Sequence, residues 1–159
     1  MTNTVVFTMG LPAAGKSSWI NGNLGESHTI IDPDGFKESH PDYDPKNPHE
    51  LHAWSQGEVE KLWNLCLSKC EGDWVVDGTG TNSDKMVRRI NQAISAGYTT
   101  QLVYVTCSLK TSLLRNSQRE RVVPEHVIKS KALDISTSFE IVSQYVDMVK
   151  VVDNNTWRA

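Results

Sequence analysis

The residues best equipped for chemistry come early in the chain. Gly10-Leu11-Pro12-Ala13-Ala14-Gly15-Lys16-Ser17 meets the phosphate-binding pattern G-x-x-x-x-G-K-[ST] at every fixed position. The two glycines let the backbone turn with its N–H groups facing inward, as a nest for phosphate oxygens. A helix opening through Ser17 and Ser18 adds its N-terminal dipole at the same spot. Lys16 offers a point charge to the β- and γ-phosphates, and the Ser17 hydroxyl suits Mg²⁺. The plain alternative is a glycine turn with an exposed lysine. The β-branched run Thr4–Met9 before the loop argues for the strand–loop–helix context that phosphate binding needs. A nucleoside triphosphate, ATP or GTP, is therefore expected with Mg²⁺.

Two further acidic positions follow apolar runs. Asp32-Pro33-Asp34 comes after His28–Ile31. One carboxylate orients an attacking hydroxyl and takes its proton, and the other tunes the site or holds metal-bound water. A weak base suffices, because phosphoryl transfer has a loose transition state. A solvated Asp-Pro turn is the alternative. Asp77 ends Trp74-Val75-Val76 and precedes Gly78-Thr79-Gly80. It suits Mg²⁺ held through water, or a substrate hydroxyl, with Thr79 and the glycines at close approach. The alternative there is a turn ahead of a helix cap. Arg115, Arg119 and Arg121 form a third group, whose guanidinium forks match phosphate oxygens. On a helix 115 and 119 share a face. A segment of about 110–130 bearing them reads as a lid over the nucleotide; the alternative is a solvated face neutralised by Glu120 and Glu125.

Other candidates carry less. Cys66 and Cys70 lie one helical turn apart and read as small core residues rather than metal ligands. His49-Glu50-Leu51-His52 lacks the H-E-x-x-H spacing of a zinc site. Trp54 and Trp63 read as core, although the helix of Trp54 follows the loop after Asp34.

The elements that must position these groups alternate. Strands are expected at 3–9, 28–31, 74–77, 98–106 and 148–152. Helices are expected at 15–24, 48–70, from Asn82 or Ser83 to 96, at 109–119, and as one or two over 125–147. Asp32–Gly35 breaks the second strand, Phe36–His40 is a helical turn, and 41–48 is a proline-rich loop. On the helix 48–70 the apolar face reads Leu51, Trp54, Val59, Leu62, Trp63, Cys66 and Cys70. On the next it reads Met86, Val87, Ile90, Ala93 and Ile94. Such alternation predicts a parallel sheet covered on both faces. Ligands then gather at the carboxyl ends of the strands, where Gly10, Asp32, Asp34, Asp77 and Cys107 converge.

The chain has 159 residues and a net charge of −3. One domain over 1–159 fits that length. The acidic balance gives no support to a general nucleic-acid binder, although a single-stranded end needs only a small basic funnel. Three cysteines and no signal-like start predict a reducing, cytoplasmic setting. No apolar run reaches membrane-spanning length.

The order of these pieces resembles a family. Gly10–Ser17, Asp32–Lys37, His40-Pro41-Asp42-Tyr43, Val76–Gly80 and the ending Val149–Asn154 are similar to zeta-toxin-type kinases. Phage polynucleotide 5′-kinases share the plan, and Leu114–Arg119 followed by Val123-Pro124 resembles their arginine segment. The resemblance implies an α/β P-loop NTPase fold of the nucleotide-kinase kind, a three-layer sandwich with a five-stranded parallel sheet. It implies transfer of a γ-phosphoryl group to an acceptor hydroxyl. Lys16 and Ser17 then match the phosphate lysine and the Mg²⁺ ligand, and Asp34 the base. Lys37 stands where the polynucleotide kinases place a substrate-phosphate arginine. Asp77 stands where zeta toxins carry glutamate and the polynucleotide kinases aspartate. Arg115 and Arg119 match the paired arginines, and Asn154 lies near the nucleotide base. Two acceptor classes compete: a small molecule such as a nucleotide sugar, and a nucleic-acid 5′-OH. A nucleotide-binding regulatory module without turnover is the alternative of another class.

Overall fold

The apolar run Thr4–Met9 forms β1 and lies in the middle of a five-stranded sheet. The structure, a computed structural model, describes residues 3–119 and 122–154. The other strands are β2 (Thr29–Ile31), β3 (Asp73–Val76), β4 (Thr99–Thr106) and β5 (Met148–Asp153). Their order is β2-β3-β1-β4-β5, and every pairing is parallel. Thr4 stands opposite Asp73 on one side and Thr99 on the other. Parallel neighbours need long crossovers, and helices supply them. These are α1 (Lys16–Asn23), α2 (Pro33–Ser39), α3 (His52–Lys69), α4 (Ser83–Ser95), α5 (Leu109–Ser117) and α6 (Glu125–Val142). The α/β P-loop fold expected from the sequence is the fold observed.

A central parallel strand is apolar on both faces, and β1 shows why. Val5, Phe7 and Met9 enter one core with Trp63, Trp74, Ile90 and Leu102. Val6 enters the opposite core with Ala14, Ile20, Val75 and Val103. Phe7 and Trp63 meet edge to face at 5.9 Å, and the Trp63 indole N–H donates to Gln92 at 2.9 Å.

Several expectations need correction. The stretch 32–35 does break the second strand, which ends at Ile31, but it does so by starting a helix. Asp32 caps α2, accepting the N–H of Asp34 at 2.9 Å, and Pro33 takes the first helical position. An aspartate followed by proline serves a helix start as well as a turn. A 3-10 turn, Pro48–Leu51, precedes α3. On α3 the buried face is Ser55, Val59, Trp63 and Cys66. Trp54 is exposed and packs edge-on against His40 at 4.7 Å. Cys70 is exposed and ends the helix at φ 55°. On α4, Ile94 faces out and Arg89 faces in, paired to Glu60 at 2.5 Å. Helix α5 stops at Ser117, so Arg119 lies in the following turn and shares no helical face with Arg115. One helix covers 125–142. The sheet is not covered throughout, because Met148, Val149 and Val151 on β5 are exposed.

Candidate active site

The phosphate-binding loop joins β1 to α1. Gly10 has no room for a side chain: a Cβ would stand 2.5 Å from the Val105 carbonyl oxygen. Gly15 caps α1 at φ 97°, a left-handed conformation that glycine adopts without strain. Ala13 is also left-handed, at φ 63°. Such a conformation in a residue with a Cβ costs about 1–3 kcal/mol and needs support from its surroundings. That support is present on the outer wall. Ser112 on α5 donates to the Pro12 carbonyl at 2.5 Å, and the Asn154 carboxamide donates to the Ala14 carbonyl at 2.7 Å. The buried Arg115 donates to the Asn154 carbonyl at 2.7 Å. The end of β5 and α5 therefore brace the loop from one flank. Lys16 folds over it, with Nζ 3.0 Å from the Gly10 oxygen and 3.3 Å from that of Leu11. Ser17 and Ser18 open α1 on the exposed side.

The inner flank is acidic. Asp77 follows β3 and is buried. Its Oδ1 accepts from the Thr8 hydroxyl at 3.0 Å, and Thr8 Oγ1 in turn accepts the Gly78 N–H at 3.2 Å. Burial pushes the Asp77 carboxyl up to about 6, and Asp32 and Asp34 push the same way while Lys16 opposes them. These four groups therefore share one electrostatic neighbourhood, as the ends of β1, β2 and β3 require. Thr79 closes the circle, its carbonyl accepting the Gly10 N–H at 3.0 Å.

Cations gather beyond Asp34. Lys37 is buried at the end of α2. Lys131 reaches in from α6, donating to Thr79 Oγ1 at 3.2 Å. Desolvation lowers the Lys131 ammonium, the Asp34 carboxylate opposes this, and Lys37 adds to it. Ser138, also on α6, donates to the Gly80 carbonyl. Arg119 is half-buried in the turn after α5, where its N–H meets the Asn116 carbonyl. The Asn116 side chain bonds both backbone groups of Val123 and holds that turn closed. Arg121 lies outside the described residues.

The structure thus brings together the loop 10–18, Asp32, Asp34, Asp77, Thr79 and Lys37 on one side, and Arg115 with Asn154 on the other. Thr8, Ser112, Lys131 and Ser138 were absent from the sequence-based set. No local signal marks them, since serine, threonine and lysine are ordinary on strands and amphipathic helices. The donor set fits Mg²⁺: hard oxygens from Ser17 and Asp77 beside the phosphate nest. Among the described residues no group of three His, Cys, Asp or Glu could hold a metal. Mg²⁺ at a nucleotide does not need one, because phosphate and water fill most of its octahedron.

A family model described as zeta toxin matches residues 2–158. Among solved structures, the PezAT chromosomal toxin-antitoxin system of Streptococcus pneumoniae is similar, with TM-score 0.72 and 18% identity, over 96% of this chain and 68% of that one. The AvrRxo1-ORF1:-ORF2 complex aligns at TM-score 0.74 and 17% identity, over 90% of this chain but 50% of that one. This chain therefore spans about half of that relative's length. Deoxyadenosine kinase from M. mycoides with bound dATP aligns at TM-score 0.54 and 16% identity, over 94% and 90%. At these identities the likenesses establish the fold. No curated protein matches the sequence. Among the described residues no helix is long and apolar enough to cross a membrane.

Proposed function

The chain belongs to the zeta toxin family, and from that membership we propose that it is a P-loop kinase, moving the γ-phosphoryl group of ATP to an acceptor hydroxyl. One observation carries the reading. A phosphate nest with its lysine, two carboxylates beyond strand ends and two inward lysines gather around one place, although they come from four separate stretches of chain. A similar structure is described as AvrRxo1-ORF1:-ORF2 with ATP, which supports the choice of nucleotide.

In this reading the backbone of 10–15 and the ammonium of Lys16 hold the triphosphate. Ser17 and Asp77 would hold Mg²⁺, which neutralises charge on the bridging phosphates. Asp34 orients the acceptor hydroxyl and accepts its proton. Asp32 fixes that residue by capping α2 through the Asp34 N–H. Arg119 and Arg121 stabilise the transferring group. Arg115 holds Asn154 against the loop, where the nucleotide base would pack. Lys37, Lys131 and Thr79 face the acceptor.

The test is transfer of radiolabelled γ-phosphate to UDP-sugars, nucleosides and 5′-hydroxyl oligonucleotides. The Asp34→Asn variant should keep ATP binding and lose turnover. Unchanged turnover would place the base elsewhere. Tight ATP binding with no transfer to any acceptor would favour a regulatory module.

A further inference from the structure

Helix α6 carries a residue that packing alone does not explain. Its buried stripe reads Ile128, Ile135, Ser138 and Val142. A hydroxyl in an apolar stripe costs free energy unless it is bonded, and a helical serine can return that bond to its own helix. Ser138 instead donates across to the Gly80 carbonyl, with only 3% of its surface exposed. Lys131 lies two turns earlier on the same face. Its ammonium donates to Thr79 Oγ1 at 3.2 Å. One face of α6 therefore grips two consecutive residues of the segment that follows β3.

The other side of that segment is fastened to the end of β1, residue by residue. The Gly78 N–H donates to Thr8 Oγ1 at 3.2 Å. Gly80 is left-handed at φ 78°, and a Cβ there would collide with the Met9 side chain and stand 3.0 Å from the Met86 sulfur. The Thr79 carbonyl accepts the Gly10 N–H at 3.0 Å. Thr8, Met9 and Gly10 are the residues from which the phosphate nest turns. Gly10 itself is wedged, because a Cβ on it would meet the Val105 carbonyl at 2.5 Å. A displacement of 78–80 is therefore passed to the first residue of the nest.

We propose that Ser138 and Lys131 are positioning residues for the nucleotide. Through Gly80 and Thr79 they hold Gly10, and with it the backbone N–H groups that receive the phosphates. They are the inner counterpart of the brace that Ser112 and Asn154 form on the outer wall. Ser138 is too deeply buried to touch a ligand, so its effect passes wholly through the segment. The inference rests on the nucleotide reading of loop 10–17 and not on phosphoryl transfer.

Titration calorimetry of the full chain with Mg·ADP and Mg·ATP tests it. The nest cradles the inner phosphates, which both nucleotides share. Ser138→Ala and Lys131→Met should each weaken both nucleotides alike, by roughly fivefold or more. Tyr98→Phe is the control. It takes a buried hydroxyl from another backbone carbonyl, that of Cys66 at 2.7 Å, just before β4 and at the opposite end of the sheet. It should lower Tm and leave both affinities as in the wild type. If Ser138→Ala does not fold, Lys131→Met decides through the comparison of ADP with ATP. Unchanged affinities in the variants that fold would overturn the proposal, and so would an equal loss in Tyr98→Phe. Loss of ATP affinity alone in Lys131→Met would also overturn it, by assigning that ammonium to the γ-phosphate directly. A wild type that binds neither nucleotide would sink the nest reading and the inference together. Affinities that behave as expected without transfer to any acceptor would sink the kinase reading and leave the two positioning residues standing.

Discussion

The carboxyl of Asp77 is held where ionisation is unfavourable, and the consequence is measurable. Its value rises from 3.8 to about 6, first through burial, with Lys16 opposing and Asp32 and Asp34 adding to the rise. A rise of about two units corresponds to roughly 3 kcal/mol, at about 1.4 kcal/mol per unit. The sign follows from which state releases its proton first. Below pH 3.8 both states keep the proton and nothing is lost. Between 3.8 and about 6 the unfolded chain ionises while the folded one resists, so stability falls as pH rises. Above that window the loss is complete. Asp77→Asn removes the titration but keeps an oxygen for the Thr8 hydroxyl. Urea unfolding of both proteins from pH 4 to pH 8, without nucleotide, should show near-equal stability at pH 4. By pH 7 the variant should lead by about 3 kcal/mol. A gap that stays constant across the range, or a wild type more stable at pH 7, would refute the reasoning.

Lys16→Ala should lower phosphoryl transfer by about two orders of magnitude or more. In the same variant ATP·Mg should no longer raise Tm by mass action, which thermal scans with and without nucleotide will show. Ser112→Ala should cost about 1–2 kcal/mol in urea unfolding, since it strands the buried Pro12 carbonyl that Ser112 now satisfies. Asn154→Ala should raise the KM for ATP with a smaller effect on kcat, measured at saturating acceptor, because it removes the bond to Ala14 on the loop's outer wall. Trp63→Ala should cost about 3–5 kcal/mol by calorimetry, for a side chain only 1% exposed and packed on Phe7.

Legibility in the sequence tracked how local each constraint is. The loop 10–17 was readable because every demand on it, two glycines, a lysine and a hydroxyl at set offsets, is met within eight residues. The positions of Asp32 and Asp77 at strand ends were readable because each directly follows an apolar run. The helix start at Pro33 was not legible because an aspartate serves both a turn and a helix cap, and the choice depends on where α2 packs. Ile94, expected inward, is exposed, and Arg89 is buried instead, for a similar reason. Arg89 is drawn inward by Glu60 and by the Trp63 ring 6.0 Å away, neither of which is near it in the chain. Lys131 and Ser112 were invisible because only the strand order delivers α6 and α5 to the site. Exposure of β5 was missed because an apolar run looks the same whether or not a helix covers it.

The middle position of β1 has a consequence for synthesis. During synthesis β1 has no lateral partner until Asp73 and Thr99 have been made. At roughly 5–20 residues per second, Val5, Val6 and Phe7 wait several seconds with both faces bare. Pairings this distant also slow the search that follows. The nascent chain thus passes through a sticky interval, in which a chaperone that shields Thr4–Met9 would raise the yield of folded protein.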